Sequence, residues 1–211
     1  GANCQDKWMI GNLEYNEGYN SMYISCDTGK TTNYGAKPNM VIAYRAIEIS
    51  SLVDPTKTTY SVDISFDWKT GGYASISDLF VCLMPDGYSI GDEVLESNDT
   101  IGYFPKVFSR FCVPLTTVEG TFMSLSDKRT WSNASFQTSV AAGRKLQLAF
   151  VWVNFNQDTT IANPLGACID NIQINSAMCP KPENLSAESE CGVMTLKWDG
   201  LVSEYECGYR R

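Results

Sequence analysis

Apolar and polar residues alternate over several stretches of this chain, and the alternation predicts β-strands. Between residues 60 and 68 every second residue is large and apolar, and the residues between them are serine or aspartate. That period of two is typical of a strand with one buried face. The runs 79–84 and 146–155 are apolar on both faces, as expected of strands inside a sheet. Weaker patterns predict further strands at 21–26, 40–49, 106–113, 130–138 and 168–174.

No window keeps helical spacing over three turns, and polar connections with glycine and asparagine separate the predicted strands. We therefore expect an all-β fold in which residues 1–176 form a two-sheet antiparallel sandwich, a jelly roll. Residues 177–182 contain two prolines, which cannot donate to a sheet, and predict a hinge. Residues 183–211 hold three short runs and predict an incomplete β unit, because so few strands cannot stabilise themselves.

The charge balance narrows the choice of partners. The chain carries 24 acidic and 16 basic residues, a net charge of −8, with no run of Lys or Arg. Such a surface repels phosphate groups, so nucleic acid and anionic membrane surfaces are disfavoured. No apolar stretch approaches the roughly 20 residues that a membrane helix requires, so we expect no membrane insertion.

The side chains available for catalysis are few. The chain has eight cysteines and no histidine, which excludes a Ser–His or Cys–His nucleophile and a histidine-based zinc site. The scattered cysteines are either disulfides of an oxidising compartment or buried small hydrophobes. A carboxylate pair could hydrolyse glycosides, but Asp63 with Asp67, and Glu93 with Glu96, occupy positions typical of a solvated polar face. We therefore expect no enzymatic activity.

Seven segments, taken in order along the chain, match one recurrent pattern. They are 8–11, 21–29, 41–45, 65–69 with Gly72, 78–85, 142–154 and 168–174. Together they resemble the cleaved-adhesin and choice-of-anchor jelly-roll domains of Bacteroidetes surface proteins, which are related in architecture to MAM domains. Residues 180–211 resemble the first strands of a fibronectin type III domain, with Trp198 in its core-tryptophan position. This resemblance implies that residues 183–211 are a partial immunoglobulin-like β segment. The resemblance implies a longer multidomain parent protein.

Fold pattern, charge and resemblance together predict a non-catalytic module of a secreted or outer cell-surface protein. Its function would be adhesion or ligand binding, with a glycan or a host or surface protein as partner, beside further domains of the same parent chain. One alternative is a purely structural spacer that positions another domain. The other, which is less favoured, is a glycoside hydrolase or lyase.

Tyrosines in predicted loops are the candidate ligand-binding residues, because aromatic faces stack on sugar rings and long loops at the end of a sandwich can present them. The alternative for each is packing of the loop onto a sheet edge. The tryptophans at 68, 131 and 152 lie in predicted strands, where we expect core packing. The candidate tyrosines are Tyr15, Tyr19, Tyr34, Tyr73, Tyr88 and Tyr103.

Asp170 is the candidate metal ligand. It shares parity with Cys168 and the isoleucines at 172 and 174, so an unkinked strand would point it toward the core, where a lone carboxylate is costly. The resemblance implies structural Ca²⁺, with Asp27 and Asp78 as further oxygen ligands if the fold brings them together. The alternatives to a calcium site are a salt bridge from Asp170 to Arg45 and a bulge that turns Asp170 outward.

Overall fold

The computed structural model describes residues 6–48, 58–72, 77–88, 100–101, 104–105, 111–117, 120–122, 124–154, 164–176, 183–190 and 193–199. The part of the chain within these ranges consists of strands and connecting turns, and it contains no helix long and apolar enough to cross a membrane. The strands are β1 (Lys7–Gly11), β2 (Ser21–Ser25), β3 (Asn39–Glu48), β4 (Thr59–Thr70), β5 (Ser77–Pro85), β6 (Thr100–Ile101), β7 (Phe104–Pro105), β8 (Leu115–Thr117), β9 (Gly120–Phe122), β10 (Ser124–Leu125), β11 (Lys128–Ala141), β12 (Lys145–Asn154), β13 (Cys168–Ser176), β14 (Glu183–Glu190) and β15 (Val193–Asp199).

Two antiparallel sheets carry most of these strands. The larger sheet has seven strands in the order β1-β2-β13-β4-β11-β8-β9, and the smaller has four in the order β10-β5-β12-β3. Strands that neighbour each other in a sheet are frequently distant in sequence, as in a sandwich with crossover connections. The predicted all-β, two-sheet antiparallel architecture is therefore confirmed.

The core lies between the two sheets and depends on alternation along β4. Val62, Ile64, Phe66 and Trp68 are all buried on one face of this strand. Phe66 packs edge-to-face against Phe150 of β12, with ring centroids 5.2 Å apart. The alternation at residues 60–68 therefore correctly predicts which face of the larger sheet packs on the smaller sheet.

The smaller sheet is covered on both faces, which explains why β5 and β12 are apolar throughout. Their inward side chains join the main core, and their outward side chains form a second apolar cluster. Tyr88 and Phe111 pack against this second cluster. Its fully or almost fully buried members are Cys82, Met84, Ala149, Val151 and Val153.

Strands were predicted at the positions of β2, β3, β4, β5, β11, β12 and β13, and all seven are present. Of the predicted strand 106–113, only residues 111–113 lie within the described ranges. At the C-terminal end, β14 and β15 pair as a two-stranded antiparallel sheet. The hinge at 177–182 and the third run of the C-terminal segment lie outside the described residues.

A row of buried polar side chains closes one end of the core. Asn154 of β12 stands in register between Ser77 of β5 and Asn39 of β3. Its Nδ2 group donates to the carbonyl oxygen of Gly35 at 2.6 Å, and Ser77 Oγ donates to its Oδ1 at 3.3 Å. Because Asn154 and Ser77 have hydrogen-bond partners here, these polar residues can occupy positions at the end of an apolar core.

Asp6, which directly precedes β1, joins this polar row and ties the start of that strand to the core. It is almost fully buried, and its carboxylate accepts hydrogen bonds from the backbone N–H of Gly35 at 2.6 Å and from Trp152 Nε1 at 3.2 Å. Burial raises the pKa of Asp6, while these hydrogen bonds lower it in part. The donors need an acceptor at this position, because a buried N–H without a partner is costly.

We expect Asp6→Ala to lower the free energy of unfolding by about 2–3 kcal/mol, because it leaves the Trp152 indole and the Gly35 amide without an acceptor. Urea denaturation followed by tryptophan fluorescence measures the change. Asp86→Ala, at an exposed turn position, is the control and should shift stability by less than about 0.5 kcal/mol. Equal effects of the two variants would show that the Asp6 contacts do not support the fold.

Candidate ligand-binding face

The outward side of the larger sheet is a surface of hydrogen-bonding side chains, here called the polar face. Adjacent strands contribute residues in register, so the side chains form rows across β13, β4 and β11. One row runs Asp170, Asp67 and Asn133. The next rows are Gln173, Ser65 and Ser135, followed by Asn175, Asp63 and Gln137. Polar side chains that can accept or donate hydrogen bonds thus lie side by side at the spacing of neighbouring strands.

Asp67 and Asp170 lie directly opposite each other on β4 and β13. Two carboxylates in such a position repel each other unless donors surround them. Asp67 accepts the side-chain amides of Asn16 at 2.9 Å, Asn133 at 2.9 Å and Asn171 at 2.8 Å. Partial burial opposes ionisation of Asp67, but the three amides outweigh it and lower its pKa. The carboxylate is therefore ionised at neutral pH.

The loop between β1 and β2, residues 12–20, is held on the polar face by these carboxylates. The backbone N–H groups of Asn16 and Glu17 donate to Asp170 Oδ2 at 2.7 and 3.1 Å. Asn16 therefore bridges both strands, with its backbone on Asp170 and its side chain on Asp67. Nearby, Glu14 forms an ion pair with Lys69. The loop thus supplies donors that offset the repulsion between the two aspartates, and the same hydrogen bonds attach the loop to the sheet.

Lys69 lies on the outward face of β4 but is buried, unlike the outward-facing residues that precede it on this strand. Its ammonium group lies 5.1 Å from the ring centroid of Trp131, a distance suited to a cation–π contact. The structure thus places Trp131 half-buried on the polar side, whereas a core position was expected. Trp68 and Trp152 do lie in the core, as predicted.

Asp170 points outward, not toward the core, and a β-bulge explains the difference. The inward residue of β13 before the bulge is Ile169, which is almost fully buried. Between Asp170 and Gln173 the register with β4 shifts, and Asn171 adopts a left-handed conformation with φ of 48°. The bulge changes which parity faces inward, so the pattern at 172 and 174 does not apply to Asp170.

The structure divides the predicted tyrosines. Tyr15 and Tyr19, in the loop over the polar face, are 46% and 82% exposed. Tyr34 is only 3% exposed and packs against Trp152 at 5.4 Å, so the structure places it in the core. Tyr88 is half-buried and packs edge-to-face on Phe111. Tyr73 and Tyr103 lie outside the described residues.

The three predicted metal ligands are not gathered. Asp27 follows β2, Asp170 lies on β13, and Asp78 is buried on β5 of the other sheet. Within the described ranges no three His, Cys, Asp or Glu side chains are arranged to hold a metal ion. The oxygens of Asp170 and Asp27 accept N–H and O–H donors where a cation would have to sit. These contacts do not fit a calcium ligand, and the bound ion stays a prediction from the sequence.

Asp27 instead organises the turn after β2. Its carboxylate accepts the backbone N–H of Thr31 at 2.9 Å and the Ser25 hydroxyl at 2.7 Å. Further hydrogen bonds come from the Thr31 hydroxyl and the Lys30 backbone. Led by the Thr31 backbone bond, they lower the pKa of Asp27 to about 2. The residue has the bonding pattern of an aspartate that stabilises a turn.

Among the carboxylates of the polar face, Asp67 is poorly suited to act as a general acid. A general acid in a glycosidase needs a raised pKa, whereas that of Asp67 is lowered. Asp63 is four residues away on the same strand and accepts Gln137 Nε2 at 2.7 Å. The sequence identified Asp63, Asp67 and Asp170 as candidates, but it offered no signal for Asn16, Asn133 or Asn171, which hold the face together.

Comparison with known proteins does not assign the chain to a family. No protein-family model and no curated protein matches it. Among solved structures it is similar to the xylan-binding CBM22-1 domain of Xyn10C from Paenibacillus barcinonensis, with a TM-score of 0.38 and 15% identity over 81% of each chain. At this level the likeness defines neither family nor function. The fold and the polar face define the chain as an all-β sandwich with an outward hydrogen-bonding surface.

We expect Asn171→Ala to destabilise the protein by about 1 kcal/mol more than Asn171→Gly. Both variants lose the hydrogen bond to Asp67, but only alanine also pays the steric cost of the left-handed conformation. Urea unfolding of the two variants and of the unsubstituted chain measures the difference in the free energy of unfolding. Equal stability of both variants would contradict the bulge at this position.

The lowered pKa of Asp27 predicts an acid-dependent loss of stability. Because the unfolded-state pKa is near 3.8, the contribution is fully present above about pH 5 and is lost as the pH falls toward 2. Between pH 5 and 2 the melting temperature of Asp27→Asn should therefore depend less on pH than that of the unsubstituted chain. Asp86→Asn is the control, and parallel curves for all three proteins would refute the role of Asp27.

Proposed function

We propose that this chain is a non-catalytic binding module whose ligand is a glycan, bound at the polar face beside loop 12–20. The observation that carries the proposal is the combination of the rows of outward Asp, Asn, Ser and Gln side chains with the two exposed tyrosines of the loop attached to the first row. Sugar rings offer hydroxyl groups to carboxylates and amides, and their apolar faces stack on aromatic rings. Both kinds of partner occur together on this side of the sandwich.

The arrangement of the polar face supports a ligand that is long and flat. Its three rows of Asp, Asn, Ser and Gln side chains extend along β13, β4 and β11 at strand spacing. Neighbouring rows on one face are about 7 Å apart, twice the rise per residue of a strand. An extended sugar chain could therefore meet several rows, whereas a compact ligand would meet one.

The attachment of loop 12–20 to the polar face also supports binding. Asn16 holds the loop to both aspartates, so the loop backbone need not be ordered at the moment of association. Less conformational freedom is then lost on binding, which raises affinity for a given contact area. A secreted or surface location within a multidomain parent belongs to the same proposal, and its support is the acidic composition and the sequence resemblance.

Tyr19→Ala should weaken glycan binding about three- to tenfold, because a stacking contact contributes about 0.5–1.5 kcal/mol. A printed array of plant and mucin-type glycans identifies the ligand, and calorimetry with the strongest hit measures the affinities. Tyr44→Ala is the matched control, since Tyr44 is 64% exposed on the outward face of the other sheet.

Unchanged affinity in Tyr19→Ala together with loss in Tyr44→Ala would move the site to the opposite sheet. No detectable binding on the array and in a pull-down from mucin would refute glycan binding and favour a structural spacer. Hydrolysis of an array sugar by the unsubstituted chain would refute the non-catalytic assignment.

A further inference from the structure

Two cysteines face each other across the edge of β5 that lies away from β12. Cys82 lies on β5, and Cys112 lies on the extended segment 111–113, with which it forms an antiparallel bridge. The N–H of Leu83 donates to the carbonyl of Phe111 at 2.9 Å, and the N–H of Val113 donates to that of Val81 at 3.0 Å. These bonds flank the cysteines, which makes them a non-hydrogen-bonded pair, the closer of the two antiparallel pair types.

The geometry of this pair is compatible with a covalent link. In a non-hydrogen-bonded pair the Cα atoms are about 4.5 Å apart, which lies within the range found for disulfides. The two Sγ atoms are in contact at 3.6 Å. The pair therefore has the strand geometry that a disulfide requires, and the sulfurs must come about 1.5 Å closer to bond.

We propose that Cys82 and Cys112 form a disulfide when the folded chain meets an oxidising thiol–disulfide pool such as oxidised glutathione. Cys112, which is partly exposed, loses its proton and attacks one glutathione sulfur, releasing one glutathione thiolate. Cys82 then loses its proton and attacks Cys112 Sγ, releasing the second. The two cysteines give up two electrons and two protons, and one oxidised glutathione becomes two reduced molecules.

The surroundings of the pair explain this order of attack. Cys82 is fully buried in the second apolar cluster, between side chains of β5 and β12. The hydrogen bond with Cys112 and burial both raise the pKa of Cys82, so this thiol reacts only once its partner carries a leaving group. Cys112 is the thiol that a soluble disulfide can reach.

The link would fasten the cover of the smaller sheet. Residues 111–113 share one edge of β5 with β10, and Phe111 packs on the second apolar cluster together with Tyr88. A bond from 82 to 112 closes a loop of about 30 residues and reduces the entropy of the unfolded chain. It lies on the opposite side of the sandwich from the polar face, so it is independent of the proposed ligand.

The full chain, folded in a buffer of oxidised and reduced glutathione, provides the test. After alkylation of free thiols and tryptic digestion, Cys82 and Cys112 lie on separate peptides, 70–106 and 111–128, each with a single cysteine. We expect these peptides to be recovered joined, lighter by two hydrogens than their sum, and to separate on reduction. Recovery of peptide 111–128 with an alkylated Cys112, or joined to another cysteine, would overturn the proposal.

Thermal unfolding gives a second readout. Reduction should lower the melting temperature of the unsubstituted chain by about 10 °C more than that of the double variant C82A/C112A, which lacks the link. Cys168→Ala is the control, because Cys168 is equally buried but lies on β13 of the larger sheet. It should keep the joined peptides and the full response to reduction, and an equal response in the double variant would contradict the link.

Discussion

Strand β4 carries the constraint on which the rest of the structure depends. It pairs with β13 on one side and with β11 on the other, so its two faces set the two faces of the larger sheet. Residues of one parity form the wall of the core, and residues of the other parity form the middle of the polar face. A slip of one residue would exchange the two faces and leave Phe66 in water and Asp67 in the core.

This constraint is local, and so it could be predicted from the sequence. The alternation at 60–68 needs no knowledge of distant residues, and the two-sided apolar runs of β5 and β12 correctly indicate a sheet with both faces covered. The fold class follows from such patterns alone. The second apolar cluster is the reason why the runs do not alternate, although its cover could not be identified in advance.

The polar face could be predicted only in part, because it depends on contacts between residues far apart in the chain. Asn16 and Asp170 are 154 positions apart, and neither belongs to a motif that points to the other. The bulge at Asn171 is a further obstacle, since it reverses parity within a single strand. Asparagine tolerates the left-handed conformation, but one asparagine in a strand pattern does not predict it.

The same dependence on distance explains the division among the tyrosines. Tyr34 lies in a loop, as its sequence context indicates, yet this loop packs inward because its backbone N–H donates to the carbonyl of Pro164. Tyr19 lies in a loop whose attachments are backbone and amide groups, so its ring stays in solvent. Loop position therefore does not determine exposure. What differs is the surface beneath each loop, which is apolar at Trp152 under Tyr34 and consists of the carboxylates Asp67 and Asp170 under loop 12–20.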